Sequence, residues 1–268
     1  MKTRIPLVAL ALVATFASAG PVKITDVFAN TSWRQKKLIV ETEFESADER
    51  PHFVQLEVAV KDAAGKVVKR LSEAFEVNQG LTVVKPEIPW ADPITWELGR
   101  GYLYTMEVRA KDGAEILEYP AFRFGFREVW RDGREIYMNG HIQRFRPCYY
   151  YSLNKNGADF LHDIGFNTIF FAHRIEPDPK VDPDLLYYLA EHGMAVITAT
   201  ACFSPGRGKS SPELIAKNIR RYRNIPSCVA FYFGVNVKVP FWDKDPRWIG
   251  DGSYDWFSDL YKAGKTHN

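Results

Sequence analysis

Cysteine is scarce: three in 268 residues, Cys148, Cys202 and Cys228. The number is odd and the spacing wide, so no disulfide framework organises the chain. One bridge stays open in an oxidising compartment, but buried thiols are the favoured reading. No Cys-x-x-Cys pair or His/Cys pair has metal-ligand spacing, so neither metal nor cofactor is expected. Long apolar runs are scarce as well. Leu7 to Phe16 is well short of the roughly 20 residues that a membrane span needs. It follows Lys2 and Arg4 and precedes Ala17-Ser18-Ala19, the pattern of a removable signal peptide over residues 1–19. A secreted or periplasmic location follows. Nothing later is apolar enough to span a bilayer. An excess of charge is also missing. Without Lys2 and Arg4 the mature chain carries 33 basic against 33 acidic residues. That balance argues against nucleic acid or an anionic membrane as partner.

What is present divides into two patterns. Over residues 20–140, Leu38, Val40, Thr42 and Phe44 alternate with polar neighbours. Val54 to Val60 and Tyr102 to Val108 do the same. Period two with one wet face marks antiparallel strands. Turn signals separate them at Asp62-Ala63-Ala64-Gly65 and Lys111-Asp112-Gly113. Strands at this spacing predict an immunoglobulin-like β-sandwich, though no cysteine pair marks an antibody-type domain.

Over residues 141–268 the pattern changes. Strand candidates at 144–152, 166–172, 194–200 and 229–234 alternate with helix candidates at 157–164, 184–192 and 212–222. Asp182 or Asp184 stands near the start of the second helix and Ser211 is a plausible cap for the third. This alternation predicts βα units and a parallel sheet. Phe124-Gly125-Phe126-Arg127 reads as a strand end with a close backbone approach at Gly125. Asn139-Gly140 reads as a type I′ hairpin turn.

One stretch organises the rest: Arg223-Asn224-Ile225-Pro226-Ser227-Cys228-Val229-Ala230-Phe231-Tyr232-Phe233-Gly234-Val235-Asn236. It resembles the string R-N-H-P-S-I-I-M-W-S-L-G-N-E of family 2 glycoside hydrolases, the β-galactosidase, β-glucuronidase and β-mannosidase group. Arg223, Asn224, Pro226, Ser227 and Gly234 match. Trp90 or Trp96, then Gly101-Tyr102-Leu103-Tyr104, Phe124-Gly125-Phe126-Arg127 and Tyr137-Met138-Asn139-Gly140 follow that family's order ahead of it. The resemblance covers roughly residues 30–240. It implies a multidomain β plus α/β chain: an immunoglobulin-like β-sandwich, then the first four units of a (β/α)₈ barrel. A whole barrel takes on the order of 250 residues. Residues 143–268 leave 126 positions, so the expectation is a partial barrel and a probable fragment, completed elsewhere in the polypeptide or by a partner chain.

The resemblance also implies a reaction, hydrolysis of O-glycosidic bonds, with a carbohydrate as partner. Retaining glycosidases use two carboxyl groups roughly 5 Å apart. In the family the acid/base follows strand four, and here that position is Asn236, with Val235 at the family's preceding asparagine. An amide cannot supply a proton. The nucleophile follows strand seven, which these residues lack. His173 matches the family's sugar-side histidine after strand two, while the arginine three positions earlier is Phe170 here. Glu176 is a candidate stand-in carboxylate at the same rim, or an ordinary surface glutamate. Tyr150, with Tyr149 and Tyr151, is a candidate aromatic face for a sugar ring, or core packing. Trp242, with Trp248, is a candidate lining residue of the mouth, or a cover for the rim. Three readings follow: a secreted family 2-like glycoside hydrolase inactive in this chain alone, a non-catalytic carbohydrate-binding relative, and a structural or adhesion module. Sugar, linkage, anomer and oligomeric state are not written in the sequence.

Overall fold

The computed structural model describes residues 20–150, 153–171, 182–201, 212–233 and Lys262. Its first part is two antiparallel sheets. One holds β1 (Val22–Ser32), β2 (Lys37–Ser46) and β5 (Gly80–Val84), with β6 (Glu87–Pro89) also paired to β2. The other runs in the order β4 (Val67–Val77), β3 (His52–Lys61), β7 (Tyr104–Asp112), β8 (Glu115–Phe124). The alternation read from the sequence has its expected cause. Leu38, Val40 and Phe44 of β2 and Val54, Leu56, Val58 and Val60 of β3 point into one shared core. Met106, Val108 and Ala110 of β7 join them, so the sheets form a β-sandwich. Each fully buried side chain of this kind contributes about 1.5–3 kcal/mol.

Some strands break the alternation. The β1 register shifts between Ile24 and Asp26, which scrambles its pattern of in and out. β8 contains Pro120, which has no N–H for a ladder bond, and its register shifts there. An edge strand with a bulge tolerates both.

A three-stranded hairpin sheet follows: β9 (Val129–Asp132), β10 (Glu135–Met138) and β11 (His141–Ile142). The β10–β11 turn is Asn139-Gly140, with φ of 50° and 84° and Met138 paired to His141. Positive φ at both central residues is what a type I′ turn demands, as the sequence predicts.

The last described part is a parallel sheet in the order β12 (Pro147–Tyr150), β13 (Thr168–Phe171), β14 (Ala195–Ala201), β15 (Cys228–Phe233). Three helices alternate with these strands: α1 (Lys155–Asp163), α2 (Pro183–Glu191) and α3 (Pro212–Tyr222). Every strand and helix expected between 144 and 234 is present within a few residues. Asn154 caps α1 by accepting from Gly157 N at 2.8 Å. Asp182, with Pro183 at the first helical position, caps α2. Ser211, the expected cap of α3, lies outside the described residues. Leu161, Leu185, Leu186, Leu189 and Tyr222 cover one face of the sheet, against Ile169, Phe171, Val196 and Cys228. Among the described residues no helix is long and apolar enough to cross a membrane.

Candidate functional site

All four strands of the parallel sheet run the same way, so their C-terminal ends share one edge. In open and closed α/β sheets that edge is where ligands bind. Tyr150 is the last residue of β12 and pairs in register with Phe171, the last of β13. Its side chain lies outside the described residues. So do His173 and Glu176, which follow β13 in the sequence, and Asn236 and Trp242, which follow β15. What the described residues show is that β12, β13 and β15, which carry or precede these candidates in the sequence, end at that one edge.

One residue back from that edge, Tyr149 stacks on Phe170, with centroids 5.5 Å apart and planes 16° apart. Strand alternation places this pair on the face opposite the helices. Tyr149 is 49% exposed there. Phe170 stands where the resemblance places an arginine.

The opposite, N-terminal edge is closed. Trp96 and Met138 are fully buried against Ala195, with Phe145 and Val229 around them. Trp96 Nε1 donates to the Ala190 carbonyl of α2 at 2.7 Å. Buried Asn139 serves both neighbours: its Nδ2 donates to Trp96 O, and its Oδ1 accepts from Glu128 N, each at 2.9 Å. A single side chain thus ties the hairpin turn to the sandwich exit. The turn after α2 is pinned too, with Gly99 N donating to Gly193 O at 2.9 Å.

The matched residues of the organising stretch have a role that the sequence did not reveal. Asn224 behaves as an extra peptide group beside β1. Its Oδ1 accepts from Ala29 N at 3.0 Å and its Nδ2 donates to Val27 O at 2.7 Å. Arg223 Nη2 pairs with Asp26 at 2.7 Å, and its guanidinium lies 4.4 Å over the Phe28 ring. Burial lowers the Arg223 pKa, which the charge of Asp26 partly offsets. Arg220 adds a contact to Glu43 at 3.1 Å. Ser227 Oγ donates to Leu186 O at 2.9 Å inside the sheet–helix layer. Pro226 sits so close to Gly125 that a Cβ there would lie 2.7 Å from Pro226 Cβ and 2.7 Å from Trp96 Cβ. The close approach expected at Gly125 is therefore real, and its partners are named. Arg127 completes the seam by donating to Cys228 O at 2.7 Å. Burial lowers its pKa to about 10, and burial raises that of the Cys228 thiol to about 12. These residues dock the parallel sheet on the sandwich.

A cleft of about 880 Å³ lies on the outer face of the β4-β3-β7-β8 sheet. Two of its carboxylates are paired: Glu57 with Arg109 and Lys111, and Glu107 with Lys61. The hydrogen bonds from Lys111 and Arg109 lower the Glu57 pKa. A carboxylate held ionised by cations is a poor general acid, so Glu57 is not suited to that role.

Comparison with known proteins bears on the fold. Residues 22–127 match the family described as "Glycosyl hydrolases family 2". Among solved structures, a glycosyl hydrolase family 2 member from Bacteroides cellulosilyticus is similar with TM-score 0.74 and 18% identity, over 92% of this chain and 34% of that one. The β-glucuronidase of Parabacteroides merdae is similar with TM-score 0.68 and 18% identity, over 92% and 34%. A putative β-galactosidase from Bacteroides fragilis is similar with TM-score 0.64 and 18% identity, over 92% and 37%. At such identity the likeness is one of fold. The chain spans about a third of the length of these structures.

Proposed function

We propose that this chain, which carries a family 2 glycosyl hydrolase domain in residues 22–127, supplies the N-terminal portion of an exported O-glycoside hydrolase. In this reading residues 1–19 are a signal peptide, residues 20–140 an immunoglobulin-like sandwich, and residues 141–268 the first four units of a (β/α)₈ barrel. The observation that carries the reading is the docked order of parts. Sandwich, hairpin and parallel sheet follow one another, and Arg223, Asn224 and Pro226 of the matched stretch join the last to the first. A carbohydrate would meet the C-terminal edge, near the segments that hold Tyr150, His173, Glu176, Asn236 and Trp242.

The same residues argue that the chain alone does not hydrolyse sugars. Asn236 stands at the acid/base position, and removing a general acid costs about 10²–10⁴ in rate. The nucleophile of the family follows a seventh strand, and the described residues supply four parallel strands to this reading. Tyr149 on Phe170 favours a second reading, a carbohydrate-binding relative without catalysis, because a half-exposed aromatic side chain can meet a sugar ring. The test is a panel of 4-nitrophenyl β-glucuronide, β-galactoside and β-mannoside with the purified chain. Release no faster than in buffer is expected. Turnover that Asn236→Ala abolishes would overturn the proposal.

A further inference from the structure

The sandwich takes hold of the chain at its first described residues. Pro21 O accepts from Ala47 N at 2.9 Å. Val22 starts β1, pairs with Ser46 of β2 and is buried in the core. Just before them, Gly20 N donates to Glu115 Oε1 at 2.7 Å. Glu115 opens β8, 95 residues further along the chain. The approach is close. A Cβ on Gly20 would lie 1.7 Å from Glu115 Oε2, so a larger residue there would push the carboxylate away.

Glu115 lacks a balancing charge. It is half-buried, and among the described residues its carboxylate has no cationic partner and accepts from that one N–H. Its cross-strand neighbour Asp112 is already engaged by His52 Nδ1 at 2.6 Å. A carboxylate in this position gains from a charged donor, because charge-assisted hydrogen bonds are roughly twice as strong as neutral ones. Cleavage of the chain would create such a donor in place. Ala17-Ser18-Ala19 has the small-residue spacing of a signal-peptide cleavage site that ends at Ala19. Hydrolysis of the Ala19–Gly20 bond adds water across its C–N bond. The oxygen stays on the Ala19 carbonyl carbon as a carboxylate, and Gly20 N leaves as an ammonium. An α-amine, with an ordinary pKa of about 7.7–8.0, is mostly charged at pH 7. As an ammonium it offers three donors where the peptide N–H offers one.

We propose that a signal peptidase cuts between Ala19 and Gly20 and that the new Gly20 ammonium pairs with Glu115, so that processing completes a contact of the fold. The proposal rests on the reading of residues 1–19 as an export signal. In the uncut chain position 20 is a neutral amide, so the ion pair stabilises the mature protein and not its precursor. To test it, the full chain is expressed in a bacterium, recovered from the periplasm, and its N-terminus read by mass spectrometry. Gly20 should be the first residue. The recovered protein is then compared with the same protein acetylated at its α-amine, which restores a neutral amide. Acetylation should lower the melting temperature by about 2–4 °C, the size expected of one ion pair in a chain of this length. It should change nothing in Glu115→Gln, whose side chain still accepts a hydrogen bond but carries no charge. The comparison in the unaltered protein stands whether or not that variant folds. A first residue other than Gly20 overturns the proposal and leaves export standing, as do equal melting temperatures with and without acetylation. A drop of the same size in Glu115→Gln also overturns it, since the ammonium would then act without Glu115. Protein recovered uncut from the cytosol overturns both the proposal and the export reading.

Discussion

At the scale of residues, a few side chains hold the seam between sandwich and parallel sheet. Asn224 makes two hydrogen bonds to the backbone of β1. Asn224→Ala leaves Ala29 N and Val27 O without those partners, and an unmade bond at a half-buried group costs about 1–3 kcal/mol. Urea unfolding should therefore show a lower midpoint with an unchanged slope. Asn224→Asp should not rescue it, because a carboxylate cannot donate to Val27 O. Gly125→Ala is expected to cost a similar amount, about 1–3 kcal/mol, by overpacking against Pro226 and Trp96. Cys228 gives a pH test. Its thiol pKa is raised to about 12 by burial, so the folded state favours the protonated form. The stability it contributes is complete below the ordinary thiol range, near pH 8.5, and is lost as pH rises through 12. At pH 8 iodoacetamide should alkylate half-buried Cys148 and spare Cys228 until the chain unfolds.

At the scale of elements, much was legible in the sequence and the exceptions have causes. The β3 run of Val54, Leu56, Val58 and Val60 alternates cleanly because one face is core and the other wet. β1 and β8 could not be read the same way, because a register shift in each moves residues to the other face. β4 is an edge strand with few buried residues, so it has little pattern to show. The βα units were legible because helix caps and buried strands leave local signals. Asp182 is the plainest: Asp182→Ala should cost about 1 kcal/mol of stability through the start of α2. Circular dichroism with thermal melting checks it. The docking roles of Asn224 and Asn139 were not legible. Each depends on a partner far along the chain, and no local pattern reports such a contact. Of the candidate site, the residue types were legible; the stacking of Tyr149 on Phe170 was not, because only the parallel register brings the two together.

At the scale of the whole molecule, the docking seam makes a prediction about cooperativity. Trp96, Asn139, Arg127, Arg223 and Asn224 link the two layers through buried or half-buried contacts. The described parts should therefore unfold together, while Arg223→Ala with Asn224→Ala should split calorimetric unfolding into two transitions. A seam of this kind fixes the sandwich under the N-terminal edge of the parallel sheet. What we propose is a glycoside hydrolase framework in which an amide, Asn236, takes the acid/base position. The most direct measurement is turnover of 4-nitrophenyl glycosides by the purified chain beside its Asn236→Ala variant. The account predicts release no faster than in buffer for both. Steady turnover by the chain that the variant loses would contradict it.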